Sequence, residues 1–158
     1  MKKVPFILFL FILCSCNNQN EEEKYYRAVS LDKKDTAYLK LSEFDNQFIG
    51  KYLIQYTDKT FDLGDVSGEI IGDTLKGRFK YISRRNSKFT KPFAILKTNK
   101  GLKLGNGMVS YYAQIPFFAN GSIQFPDSLF HFNEIKMDEV QHLKKELNLV
   151  GTPIEITP

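Results

Sequence analysis

Apolar residues in this chain return at every second position. In Thr74-Leu-Lys-Gly-Arg-Phe-Lys-Tyr81, Leu75, Gly77, Phe79 and Tyr81 fall on one side, and Lys76, Arg78 and Lys80 fall on the other. Successive side chains of a strand point to opposite faces, so a period of two describes a strand with one dry and one wet face. Ala37, Leu39 and Leu41 repeat the pattern with Tyr38 and Lys40 opposite. Phe48, Gly50, Tyr52, Ile54 and Tyr56 form a longer aromatic stripe, and Phe93 with Ile95, then Val109 with Tyr111, continue the series.

Turn residues punctuate these runs. Asp45-Asn46, Gly72-Asp73 and Asn120-Gly121 suit two-residue hairpin turns, Asn99-Lys100-Gly101 suits a three-residue turn with a bulge, and Asn106-Gly107 suits a turn or a bulge. Hairpins at this spacing predict an all-β, mainly antiparallel domain. It is a meander β-barrel or a barrel-like sandwich of about eight to ten strands between Tyr25 and Ile135. Neither strand–helix alternation nor an internal repeat is present. The end of the chain changes character. Asp138 and Gln141 form a capping-box pair, and Val140, Leu143, Leu147 and Val150 follow at helical spacing. Gly151 and Pro153 stop the run. One C-terminal amphipathic helix is therefore expected near 138–150, laid against the outside or open end of the sheet, with Ile154–Thr157 as a short last strand.

The first residues are built differently. Met1-Lys2-Lys3 is positive, Val4 to Leu13 is apolar apart from Pro5, and small or polar residues follow. That is the order of a secretory signal peptide. The apolar run is about half of the roughly 20 residues that a spanning helix needs. Leu13-Cys14-Ser15-Cys16 resembles the lipobox of bacterial lipoproteins, in which the cysteine after a small residue receives diacylglycerol and fatty acyl chains such as palmitate. Bulky Leu13 stands where Cys14 would need a small residue, so the resemblance implies lipidation at Cys16 and loss of Cys14 with the leader. The division that follows is a signal peptide over 1–15, a lipidated cysteine and polar tether over 16–24, and a single domain over 25–158.

No other cysteine occurs, so the mature domain would have neither a disulfide nor a free thiol. About 140 residues remain, enough for one domain to bury a sizeable core by packing alone. Loss of Lys2 and Lys3 lowers the formal net charge from +4 to +2, which argues against a nucleic-acid partner. The stretch Asn17–Lys24 holds no apolar residue up to the barrel and should stay solvated. Its cluster Glu21, Glu22 and Glu23 is similar to the export signal that displays some Gram-negative lipoproteins on the cell surface. Asn17 does not resemble the aspartate of inner-membrane retention. The implied location is the outer membrane, lipid-anchored, facing outward or alternatively the periplasm.

A meander barrel followed by one helix and a terminal strand is similar to the lipocalin architecture, although the chain has no tryptophan and so lacks the Gly-x-Trp signature. Gly68–Phe79 and Phe93–Lys97 also resemble uncharacterised barrel-like envelope lipoproteins. These likenesses imply a fold and no activity.

Residues that could carry chemistry are sparse. His131 alternates away from Phe130 and Phe132, and His142 sits beside Lys144 and Lys145. Neither has the neighbours of a zinc motif. Asp58, Asp62 and Asp65 are spaced four and three apart, unlike a calcium loop, and read as a solvated turn. Ser67 lacks the glycine frame of a nucleophile elbow. No catalytic residue, metal site or cofactor is expected, and the chain reads as a binding module and not an enzyme. Lys76, Arg78 and Lys80, continued by Arg84 and Arg85, suit anionic headgroups or an acidic glycan, or simply form a wet edge. The Asp-Ser/Thr-aliphatic triplets at Asp35, Asp73 and Asp127 resemble bacterial O-glycosylation sites and mark Thr36, Thr74 and Ser128 as candidates. Turn geometry yields the same triplets. Of the 14 Phe, three lie in the leader, and the 11 that remain, with 8 Tyr, either fill the barrel or line a cavity for a small apolar ligand, with Phe117 and Phe118 placed to rim an opening. With a lined cavity the protein carries a small apolar ligand. With a filled barrel it is an accessory surface protein that meets a protein partner on its outside. Mass spectrometry of the mature N-terminus should find a diacylated or triacylated Cys16, and lipid on Cys14 or an unmodified terminus would refute the lipobox.

Overall fold

In the computed structural model, which describes residues 23–83, 86–136 and 138–141, the alternating runs become ten strands. They are β1 (Lys24–Val29), β2 (Thr36–Phe44), β3 (Gln47–Gln55), β4 (Phe61–Ile71), β5 (Thr74–Ile82), β6 (Lys88–Thr98), β7 (Gly101–Leu104), β8 (Val109–Tyr112), β9 (Ile115–Phe118) and β10 (His131–Glu134). Strands β1 to β7 form an antiparallel meander, and β10 slots between β7 and β1 to close an eight-stranded barrel. Strands β8 and β9 form a separate hairpin, and β9 packs against β6. The fold is an all-β antiparallel barrel. Closure through β10 joins the two ends of the meander, so neither end of the sheet is left as a free edge along its whole length.

The predicted apolar stripes become the barrel interior because the register brings them level. Tyr52 on β3 pairs with Gly64 on β4, Gly64 with Tyr81 on β5, and Phe79 with Lys91 on β6. Phe48, Tyr52, Leu75, Phe79, Phe93 and Phe132 belong to one buried cluster. The Tyr52 ring lies 4.8 Å from Phe79 and 5.5 Å from Phe93, centroid to centroid, and meets Phe132 edge-on at 6.0 Å. These are favourable aromatic separations, and they fill the middle of the barrel.

Two glycines let this small barrel curl. Gly68 and Gly77 face each other across β4 and β5, and an added Cβ would fall 2.2 Å from the Lys76 carbonyl oxygen or 2.0 Å from that of Ser67, respectively. The backbones come close there, and no side chain fits between them.

The turns agree with expectation in part. Asp45 and Asn46 both take positive φ, 43° and 60°, as a two-residue hairpin of that twist requires. Gly72-Asp73 joins β4 to β5 in two residues. The β6–β7 turn is also two residues long, since Thr98 pairs with Gly101, and not the three expected. Asn120-Gly121 is a turn but joins no hairpin: beyond it lies only an isolated bridge from Gln124 to Asn106. The β8–β9 turn is Ala113-Gln114, both at positive φ, which no turn residue announced. Val109 and Tyr111 do not continue the inward stripe. They belong to the separate hairpin and are exposed, because alternation shows a strand's two faces without telling which sheet it joins.

The tether ends earlier than its composition suggests. Lys24 already pairs with Leu41, and Glu23 is drawn onto the barrel by Lys40 at 2.5 Å and by the Tyr25 hydroxyl at 3.0 Å. Partial burial, then the Glu23 contact, push the Tyr25 phenol up to about 12. Residues 1–22, with Cys16, Glu21 and Glu22, lie outside the described residues. Of the expected helix near 138–150, the described residues contain a single turn, 138–141, with Val140 buried. The remainder, with His142, lies outside them. Gly77→Ala should destabilise the barrel by about 1–3 kcal/mol in denaturant unfolding, whereas Gly72→Ala, with open space around its Cβ position, should cost only the strain of its turn.

Candidate functional site

The barrel wall is incomplete on one side. Strand β6 pairs with β7 only from Ile95 to Thr98, so its residues Lys88–Ala94 have β5 on one side and no ladder on the other. Strand β10 reaches β1 only at Tyr26 and Arg27, which leaves Ala28 and Val29 without it. The gap follows from chain length: β7 and β10 have four residues each against eleven in β6. Pro92 sits in this stretch, where a strand lacks a second neighbour and a missing N–H costs least.

The segment between β7 and β10 lies across the gap. Leu104 donates its backbone N–H to Phe130 O, Gly105 donates to Ala94 O, and Gln124 and Asn106 bond to each other. Gly105 packs against Phe125 so closely that a Cβ there would fall 2.6 Å from its ring. Between this segment and the interior is a cavity of about 490 Å³. Its walls are mainly apolar, with Ile54, Phe93, Leu104, Phe118 and Phe130. Phe118 thus borders an opening as expected, while Phe117 is turned outward. A second concavity, of about 590 Å³, lies at the opposite rim beside the ion pair of Lys97 with Glu43.

Polar groups gather at the cavity's end of the barrel. Tyr52 contributes to its lining and is only 1% exposed, and its hydroxyl has no hydrogen-bond partner among the described residues. Lys91 also lines it, half-buried, with its ammonium 5.3 Å from the Phe79 ring centre and 5.1 Å from that of Tyr81. Those two rings are stacked 4.6 Å apart, which gives the cation an aromatic face to rest on. Desolvation lowers the Lys91 amine from its ordinary value, opposed by the field of Asp62. Burial raises the Tyr52 and Tyr56 phenols, and nearby Asp62 adds to both shifts.

Asp62 corrects the expected solvated aspartate turn. It lies in β4 opposite Ile54, is 8% exposed, and accepts a hydrogen bond from the Tyr56 hydroxyl at 2.9 Å. Asp58 caps its own turn through Thr60, and Asp65 points outward to Lys51. The three carboxylates therefore do not converge, and no group of three metal-binding side chains occurs among the described residues. Alternation could have placed Asp62 inward, because it shares parity with Val66, but Asp in a polar stretch reads as turn.

The remaining candidates are scattered. Ser67 lies in β4 against Arg78, with no histidine near it in the register. His131 faces outward, opposite buried Phe132, with Nε2 3.5 Å from Asp127. Asp127 also accepts from Lys103, which holds its carboxyl below the usual range. Lys76, Arg78 and Lys80 stand level with Glu69, Ser67 and Asp65 on β4, so acidic groups interrupt that basic face, and Arg84 and Arg85 lie outside the described residues. Thr36 and Thr74 open β2 and β5, and Ser128 is exposed before β10. Lys91 and Tyr52 were not singled out as a site by sequence; only the barrel's register brings them to one cavity.

Tyr52→Phe should leave the folding stability unchanged or raise it by about 1–2 kcal/mol, since it removes a buried hydroxyl that lacks a partner. A fall in the denaturation midpoint would show that the hydroxyl is engaged. No family model, curated protein or solved structure matches this chain.

Proposed function

We propose that this chain is a lipid-anchored envelope lipoprotein whose barrel binds a small apolar ligand. The observation that carries the binding half is the cavity at the wall opening, about 490 Å³ in volume and faced mainly by apolar side chains. A concave apolar site with a few polar groups is the usual form of a small-molecule pocket. The anchor rests on Leu13-Cys-Ser-Cys16. The described chain enters the barrel at Lys24, on the rim that also carries the Asp45-Asn46 and Asn99-Lys100 turns. The loops bordering the cavity lie at the other end, so an anchored barrel would take its ligand from the side away from its own lipid. The glutamates before the barrel favour an outward-facing position on the outer membrane, although Glu23 is shared with Lys40. Protease shaving of intact cells reads that orientation.

One observation favours the accessory role as the alternative. The hairpin tip exposes Tyr111 and Tyr112, 70% and 79% accessible, beside Met108 and Ile115. Exposed aromatic clusters of this kind often mark contact surfaces. Native mass spectrometry of the chain from Asn17 onward should reveal a co-purifying small molecule. A clean apo mass that stays unchanged after incubation with envelope lipid extract would favour the accessory role.

A further inference from the structure

We propose that the ligand of this cavity is an apolar chain ending in a carboxylate, held by the Tyr52 hydroxyl and the Lys91 ammonium. This rests on the carrier reading and names the chemistry of its ligand.

The polar groups around the cavity are unequally satisfied. Tyr52 is almost wholly buried and its hydroxyl is unpartnered, an arrangement that a folded protein avoids unless something else supplies the partner. Lys91 presents three N–H donors and rests on aromatic faces, and no protein acceptor lies within hydrogen-bond reach of it among the described residues. The nearby carboxylates already accept from the protein. Asp62 accepts from Tyr56, and Asp35, at the edge of the cavity, accepts from the Thr57 backbone at 3.2 Å. The two groups left without a hydrogen-bond partner among the described residues, the Tyr52 hydroxyl and the Lys91 ammonium, can both donate. An ionised carboxylate brings acceptors and no donor of its own, and hydrogen bonds to charged groups are the stronger kind. An alcohol would bring no charge to meet the Lys91 ammonium, and an amine would set a second cation beside it.

The electrostatics agree. Desolvation disfavours the Lys91 cation, and Asp62 compensates only at a distance. A ligand carboxylate would replace the lost hydration directly. The rest of the ligand meets Ile54, Phe93, Leu104 and Phe118, which offer contact without polar demands. Tyr52 and Lys91 converge on one ring, that of Phe79, 4.8 Å from the Tyr52 ring and 5.3 Å from the Lys91 nitrogen.

The test uses the full chain in membranes with two probes, dodecanoic acid and dodecanol, each carrying the same terminal diazirine. After illumination, the label on peptides from β3 and β6 is quantified by mass spectrometry and normalised to surface peptides. The acid should label them about tenfold more than the alcohol, the ratio expected for charge-assisted hydrogen bonds. Lys91→Met and Tyr52→Phe should each bring that ratio towards one. Equal labelling by the two probes, or a ratio that survives both substitutions, would overturn this inference alone. No labelling of these strands by either probe would overturn it together with the carrier reading. Should Lys91→Met not fold, as read by thermal melting, Tyr52→Phe keeps the ring packing and decides the matter.

Discussion

The aromatic packing around Tyr52 is the contact on which the rest of the molecule depends. Eight strands enclose a space that side chains can just fill, and here Tyr52, Phe79, Phe93 and Phe132 fill its centre with their rings in mutual contact. No cysteine lies among the described residues, so burial of these rings must take the place of a covalent staple. Each large aromatic is worth several kcal/mol to a core (about 3–5 for truncation to alanine). The glycine crossing at Gly68 and Gly77 serves the same end, because a side chain at either position would force β4 and β5 apart.

That filling also determines where binding can occur. A barrel plugged at its middle has no continuous lumen, and the mainly apolar cavity lies where the wall fails. It fails beside the first half of β6, because β7 and β10 are too short to cover it. The long connection from Gly105 to Leu129 crosses this side and carries the β8–β9 hairpin with it. One economy of chain length thus creates the opening, the flap over it and the exposed aromatic tip. Tyr52 belongs to both worlds: its ring completes the core, and the residue also contributes to the lining of the cavity.

Two charged residues inside a barrel would ordinarily be a liability, since burying a charge without a partner is costly. Asp62 and Lys91 reduce this cost by different means. Asp62 accepts from Tyr56, while Lys91 lies over the stacked pair of Phe79 and Tyr81. Neither bonds directly to the other among the described residues, and that separation leaves the ammonium available to something else.

Much of the fold was legible in the amino-acid order. The stripe from Phe48 to Tyr56, its counterpart from Leu75 to Tyr81, and the Asp45-Asn46 and Gly72-Asp73 turns specify an antiparallel barrel, because alternation and turn chemistry are local properties. The hairpin of Val109 and Tyr111 misled for the same reason: local pattern reveals two faces and not the neighbour each one meets. Asp62 was hidden by its polar surroundings, and Lys91 looked like any strand lysine. What only the tertiary structure decided is the site: barrel closure sets the register that lays Lys91 against Phe79, and the shortness of β7 and β10 opens the wall beside it. The sequence by itself determined strands, turns and the resemblance of its start to a lipobox, since each depends on residues adjacent in the chain. The cavity depends on residues far apart in sequence that only closure makes neighbours.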